Sequence, residues 1–136
     1  MLAGCATPAS TSPGPPLSSR ICPRLNPTVI RSGFEITERS SVEAGEDFLA
    51  DTVIYRDSDG RFLAFVSGSP GPIGGVPTGQ WVVVRGHDAE IFREASLNEL
   101  AVIWQEASAF EPCHLYSISV GGLTVPQFME ILAGVQ

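Results

Sequence analysis

The stretch LAVIWQEASAFEPCHLYSISVGGLTVPQFMEILAGVQ, residues 100–136, decides the fold class of this chain. Its first part reads as two apolar strands, 100–106 and 114–120, which are rich in β-branched and aromatic residues. Two glycines, Gly121 and Gly122, then break the extended pattern, and apolar residues recur at helical spacing towards the end. The stretch therefore predicts two strands followed by a helix that packs on them.

Local chemistry specifies the start of this helix. Thr124 is a good N-cap, because its hydroxyl can accept a free first-turn N–H, and Gln127 can reach back to the Thr124 N–H to complete a capping box. Pro126 falls in the first turn, where its missing N–H costs nothing, and Gly134 predicts the stop. A helix of about eleven residues is marginal alone, so we expect it to lie on a sheet. Its apolar stripe consists of Val125, Phe128, Met129, Leu132 and Val135.

Strand patterns upstream predict the rest of the sheet. The turn DSDG at 57–60 joins two of them in the clearest hairpin of the chain. The segment 67–79 contains five Gly and three Pro and is expected to form a long loop. Strands at this spacing indicate an antiparallel sheet of about six strands, and the terminal helix makes the fold class α+β. The upstream strands are predicted at 28–36, 48–56, 61–66, 80–85 and 89–93.

The first residues indicate export and a lipid anchor. The sequence LAGC at 2–5 resembles the bacterial lipobox, in which the cysteine, here Cys5, becomes the lipidated N-terminus after signal-peptide cleavage. A signal peptide needs a basic and an apolar region before the cleavage site. Either this region lies upstream of Met1, where the start was trimmed or miscalled, or the match to the lipobox is accidental. The uncharged segment 6–19, rich in Pro, Ser and Thr, is typical of a disordered tether.

A chain of 136 residues is expected to hold one folded domain. We predict a lipobox-like start and tether over 1–27 and a single α+β domain over 28–136. The expected location is the extracytoplasmic side of the cell membrane, to which a lipid at Cys5 would attach the protein as a lipoprotein.

Cys22 and Cys113 remain once Cys5 is assigned to the lipid. Outside the cytoplasm two such cysteines tend to pair, and a bridge would attach the segment before the domain to the loop after the 100–106 strand. The alternative is two unpaired thiols, one on a flexible segment and one half-buried.

Charge and missing motifs argue against several classes of function. Eight Lys and Arg stand against fifteen Asp and Glu, and the net charge of −7 disfavours nucleic-acid binding, which needs clustered positive charge. The sequence contains no nucleotide-binding loop and no Gly-x-Ser-x-Gly nucleophile elbow. His87 is expected in a turn and His114 at the start of the 114–120 strand, so together with Cys113 they predict no metal site. We therefore expect neither a cofactor nor an enzymatic activity.

The order of several segments resembles a known family. These segments are DGRFL at 59–63, VVVRGHDA at 82–89, LAVIW at 100–104 and GLTVPQF at 122–128. They resemble the C-terminal half of bacterial extracytoplasmic domains in anti-sigma-factor-like and lipoprotein-like proteins, which are related to the lipoprotein-carrier fold. The resemblance covers roughly residues 50–136. It implies a curved antiparallel sheet with helices on its concave side, and it implies no catalytic residues.

Three functions are compatible with the sequence. The first is a membrane-tethered binding or accessory domain without catalysis, which contacts a ligand or an envelope protein through the open sheet face or the 67–79 loop. The second is a carrier of a lipid or another hydrophobic ligand, and the third is a hydrolase in which His87, His114 and a carboxylate converge. A large apolar pocket would favour the carrier, and a solid core with an exposed apolar patch would favour protein binding. The candidate residues for either surface are Phe62, Phe65, Trp81 and Trp104. The alternative for the two tryptophans, whose strands are apolar on both faces, is a place in the core.

Overall fold

The computed structural model describes residues 21–43, 48–68, 75–94, 98–108 and 113–136. In this part of the chain, seven strands form one antiparallel sheet and one helix follows them. The α+β class is confirmed, with seven strands rather than about six. The elements are β1 (Glu35–Glu43), β2 (Leu49–Arg56), β3 (Phe62–Ser67), β4 (Val76–Val84), β5 (His87–Glu94), β6 (Glu99–Gln105), β7 (Leu115–Gly121) and α1 (Val125–Ala133).

The sheet is built from two meanders that meet in its middle. Its strand order is β1-β2-β3-β7-β6-β5-β4, and each neighbouring pair is antiparallel. The first meander is β1 to β3 and the second is β4 to β7, so the chain crosses to the far edge of the sheet between β3 and β4. As a result β7 lies in the centre, whereas β1 and β4 are the two edges.

One face of the sheet carries the hydrophobic core. Phe128, Ile131 and Leu132 of α1 are at most 1% exposed, and they share one core cluster with side chains from strands β3 to β7. Leu25 and Phe34, which precede the sheet in the chain, belong to the same cluster. Because side chains alternate along a strand, the core residues of each strand lie on this one face. The helix is therefore held by its contacts with the sheet, as its short length requires.

The helix begins where the capping box predicts. The Gln127 N–H donates to Thr124 Oγ1 at 3.3 Å, and the Thr124 N–H donates to Gln127 Oε1 at 3.0 Å. Pro126 lies in the first turn and Gly134 is the C-cap, both as expected. The helix has nine residues rather than about eleven.

Replacing Thr124 with alanine is expected to lower the free energy of unfolding by about 1 kcal/mol, because the Gln127 N–H loses its acceptor. Thr124→Ser keeps the hydroxyl and is the matched control, for which we expect little change. Urea-induced unfolding followed by circular dichroism measures both variants. Equal destabilisation by alanine and serine would contradict the role of the cap.

The first strand lies later in the chain than the sequence predicts. The predicted strand at 28–36 is wrong over most of its length, since β1 runs over Glu35–Glu43. β1 covers a segment that reads as a polar loop, and its residues 35–41 are exposed. An edge strand exposed in this way has no buried apolar face, so alternation of apolar and polar residues gives no signal.

Residues 21–27, which the sequence assigns to the tether, belong to the folded unit. We call this segment the arm. Cys22 and Leu25 of the arm are buried. The backbone of Asn26 exchanges two hydrogen bonds of 2.9 Å with that of Gln136 at the end of the helical segment. The folded unit therefore starts earlier than predicted.

A disulfide joins the arm to the sheet. Cys22 and Cys113 form this disulfide, so of the two alternatives the structure contains the paired one. The Cys22 N–H also donates to the Leu49 carbonyl at 2.8 Å. Gly68 packs against the bridge with a φ of +91°, and a Cβ at this position would collide with Cys22 Sγ. The bridge is thus enclosed by the first residues of β2 and the end of β3.

The turn between β4 and β5 lies one residue earlier than predicted. Arg85 and Gly86 occupy it with φ values of 52° and 83°. Positive φ at both central residues is what a two-residue type I′ hairpin requires, and glycine favours it. His87 consequently opens β5 and pairs with Val84 instead of lying in the turn.

Candidate partner-binding edge

The four aromatic residues predicted to line a surface do not lie together. Phe65 and Trp104 are each 3% exposed and belong to the core cluster. Phe62 and Trp81 point to the opposite face, because they alternate with core residues in β3 and β4. Phe62 packs against Gly121, where a Cβ would collide with its ring, whereas Trp81 is 60% exposed. The four residues therefore form no shared surface, and Trp104 takes its alternative place in the core.

Trp81 lies on the edge strand β4 beside a second exposed apolar residue. Val83, two positions along and on the same face, is also 60% exposed. In the described part of the sheet, β4 pairs with β5 alone. Opposite these two side chains β5 carries Glu90 and Asp88. We call residues 81–84 of β4 the open edge.

The two edges of the sheet differ in how they are protected. β1 carries Glu35, Glu38 and Arg39, and its register shifts between Ile36 and Glu38. Charges and bulges of this kind block pairing with another chain. β4 has no charged residue in its nine positions, and its proline, Pro77, and its register shift lie before the open edge. The open edge is thus a regular, uncharged strand edge that directs alternate N–H and C=O groups outward.

Hydrogen bonds hold the irregular first half of β4. The Thr78 hydroxyl donates to the Ile91 carbonyl at 2.7 Å and accepts from the Gln80 N–H at 3.1 Å. The Gly79 N–H donates to Glu90 Oε2 at 3.1 Å, and Gly79 has a φ of 79°. These contacts fix where the irregularity ends and where the open edge begins.

An aromatic and ionic cluster joins the turn that follows the open edge to the ends of β6 and β7. Arg85 Nη2 is 3.2 Å from Glu106 Oε1, and the Arg85 guanidinium is 5.6 Å from the Tyr116 ring centre. Trp104 Nε1 donates to Glu106 Oε2 at 2.6 Å, and the Trp104 and Tyr116 rings stack at 5.8 Å. Burial and the Glu106 charge raise the pKa of Tyr116 against the smaller opposing effect of Arg85. Tyr116 therefore stays neutral at physiological pH, and the cluster braces the ends of β4, β6 and β7.

The DSDG segment forms the predicted hairpin turn between β2 and β3. Asp57 Oδ1 accepts from the N–H groups of Asp59 and Arg61 at 3.0 and 2.9 Å, and its Oδ2 accepts from Arg61 Nε at 2.6 Å. Burial raises the pKa of Asp57, but these hydrogen bonds and the Arg61 charge outweigh burial and hold the pKa below its ordinary value. Both carboxylate oxygens are engaged within the turn, which gives them a structural role.

The residues considered for a metal site or a hydrolase have the following places in the fold. Cys113 is in the disulfide and offers no thiolate. His87 opens β5, and His114 precedes β7. Within the described ranges, no three side chains of His, Cys, Asp or Glu lie close enough to hold a metal ion. Within the same ranges, internal packing does not account for the exposure of Trp81 and Val83 on the open edge.

Comparison of the chain with models of known protein families, with curated proteins and with solved structures found no match. In the part of the chain that the structure describes, no helix has the length and apolar character to cross a bilayer. Cys5, the tether at 6–19 and residues 69–74 of the predicted loop lie outside the described residues.

Proposed function

We propose that this chain is an extracytoplasmic binding domain without catalysis, and that it takes an extended segment of a partner protein as an added strand on the open edge. The observation that carries this proposal is an uncharged edge strand on which Trp81 and Val83 are each 60% exposed. Proteins normally protect such edges with charge, proline or bulges, as β1 does here. An added strand would give the outward backbone groups partners and would cover both side chains.

The acidic side chains beside the open edge indicate the chemistry of the partner segment. Glu90 and Asp88 lie opposite Trp81 and Val83 on the same face. An added strand would lie about 4.8 Å from β4 and about 10 Å from β5, a distance that an arginine side chain can span. An arginine on this face can stack on the indole and reach Glu90. On the other face, next to Val82, apolar residues would continue the core, so we expect a segment in which basic and apolar residues alternate.

The cysteines support the extracytoplasmic location in this proposal. The disulfide between Cys22 and Cys113 supports an extracytoplasmic location, because such bonds persist in oxidising compartments. Lipid attachment at Cys5, with a signal peptide upstream, remains a prediction from the sequence. A relation to the lipoprotein-carrier fold, with a curved sheet, also belongs to the proposal, and the antiparallel sheet with its C-terminal helix supports it.

Titration with short peptides tests the open edge. One probe alternates valine with arginine and the other alternates valine with glutamate. We expect the arginine peptide to bind and to change the fluorescence of the exposed Trp81, and the glutamate peptide not to bind. Val83→Lys is expected to weaken binding at least about tenfold, because it replaces an apolar contact with a like charge. Ile36→Lys is the matched control, since Ile36 is 43% exposed on the opposite edge, and it should leave the affinity unchanged.

Two outcomes would overturn this proposal. Equal affinity for the two peptides would show that Glu90 and Asp88 do not select a basic segment. Full affinity in the Val83→Lys variant would show that the peptide does not bind at the open edge. Sedimentation velocity identifies a competing occupant. A dimer that forms with increasing concentration and that Val83→Lys abolishes would show that a second copy of the chain, rather than a partner segment, covers the edge.

The alternative function, carriage of a hydrophobic ligand, has less support. Its pocket was expected from four aromatic residues that the structure separates between the two faces. A cleft of about 310 Å³ lies beside the arm, but Arg24 and Arg39 contribute to its lining. An acyl chain needs a mainly apolar lining, so this cleft fits a different class of ligand.

A further inference from the structure

The cleft lies between the arm and the first three strands, on the core face of the sheet. Its apolar wall consists of Val53, Tyr55 and Phe65, and the rings of Tyr55 and Phe65 meet edge to face with centres 5.7 Å apart. Arg24 and Arg39 bring positive charge to the same space. The exposed side chains of the open edge point to the opposite face, so the cleft is a separate site and does not depend on the proposed function.

A buried carboxylate orients Arg24 in the cleft. Asp51 is 3% exposed, and its Oδ2 accepts from Arg24 Nε at 3.0 Å. A guanidinium has five N–H groups, so this bond leaves others for a second acceptor. The side chain of Arg24 is 53% exposed, which makes those groups accessible. Asp51 therefore fixes the position of Arg24 without covering it.

Arg39 adds a positive charge to the cleft. It lies on β1 opposite Val53, which places its side chain on the cleft face of the sheet. Among the described residues, Arg39 takes part in no ion pair. The two arginines together with Asp51 carry a net charge of +1, in a chain whose net charge is −7. The cleft is thus locally positive on an acidic protein.

We propose that the cleft binds a small organic carboxylate with an aromatic or branched apolar body. Its volume of about 310 Å³ is near the lower limit of ligand pockets, which suits a small molecule. The planar fork of Arg39 matches a carboxylate, and one excess positive charge matches a monoanion better than a phosphate dianion. The wall of Val53, Tyr55 and Phe65 takes the apolar body away from water.

An NMR titration of the full chain, with its disulfide formed, tests this site. The probe is phenylacetate, and the readout is the backbone amide shifts of residues 24–26, 39 and 53–55. We expect saturable shifts centred on these residues. Phenylacetamide, the neutral isostere, and acetate, which lacks the apolar body, are each expected to bind at least about tenfold more weakly.

Variants of the arginine at position 39 separate charge from geometry. Arg39→Gln is expected to weaken phenylacetate binding about tenfold, because it removes a charge-assisted hydrogen bond. Arg39→Lys keeps the charge without the planar fork, so its affinity for phenylacetate should lie between those of the parent and of Arg39→Gln. Arg93→Gln is the matched control, because Arg93 is exposed on β5 outside the cleft lining, and it should bind like the parent.

Three results would overturn the carboxylate site. These are equal binding of phenylacetate and phenylacetamide, unchanged affinity of the Arg39→Gln variant, and absence of saturable shifts around the cleft. Arg39 is exposed on an edge strand, so its replacement should leave the fold intact. Unchanged amide shifts in β5 to β7 of the free variant verify this point.

Discussion

Replacing both Cys22 and Cys113 with alanine is expected to lower the free energy of unfolding by about 4 kcal/mol. The two cysteines are 91 positions apart, so the bridge closes a long loop and removes much conformational freedom from the unfolded chain. Cys22 is 1% exposed, and alanine keeps an apolar atom there, so the variant reports mainly on the lost bridge. Urea-induced unfolding measures the difference through the transition midpoint and its slope.

Reduction of the parent protein is the control for this prediction. A thiol reductant should destabilise the parent by a similar amount and should leave the double alanine variant unchanged. The slope of the transition is expected to rise when the bridge is lost, because a less compact unfolded chain exposes more surface. A parent protein whose stability is insensitive to reduction would contradict a structural role for the bridge.

The sequence predicts most securely the features that neighbouring residues decide among themselves. The helix start is such a feature, because Thr124 and Gln127 satisfy each other's backbone N–H groups within one turn. The hairpin at Asp57 is another, since its carboxylate binds the N–H of Arg61 four positions later. Both were predicted, and both depend on contacts of short sequence separation.

The arm and the first strand depend on partners that are far away in the chain. The arm is recognisable through its bridge to Cys113 and its backbone pairing with Gln136, because its seven residues show neither strand nor helix periodicity. β1 is polar and exposed, and its pairing with β2 alone makes it a strand. Hydrophobic periodicity therefore misses both, because neither presents an amphipathic pattern.

The orientation of the two tryptophans shows a second limit of the sequence. Trp81 and Trp104 both lie in strands with apolar residues on the two faces, so alternation does not distinguish inside from outside. The face of the sheet separates them. Trp104 pairs with Tyr116 on the core face of β6, whereas Trp81 pairs with Glu90 on the opposite face of the edge strand β4. The candidate surface could therefore be placed only once the sheet order was known.

Replacing Phe128 with alanine is expected to lower the free energy of unfolding by about 4 kcal/mol, because it leaves a cavity where α1 meets the sheet. Phe128 is fully buried, and it is among the largest buried side chains of the core. Met129→Ala is the matched control on the same helix, since Met129 is only partly buried, and we expect it to cost about 1 kcal/mol. Urea-induced unfolding measures both variants.

The Phe128→Ala variant also tests whether the helix holds the arm. The N–H groups of Asn26, in the arm, and of Thr28, directly after it, donate to the carbonyls of Gln136 and Gly134. The arm is therefore fastened to the residues that follow α1. If α1 loosens, hydrogen exchange should accelerate at Asn26 and Thr28, while the amide of Cys22, held by the disulfide and by Leu49, stays protected. Unchanged exchange at Asn26 and Thr28 would instead show that the disulfide alone positions the arm. Arg24 lies between the disulfide at Cys22 and the backbone pairing at Asn26, so loosening of the helix should also weaken phenylacetate binding in the cleft.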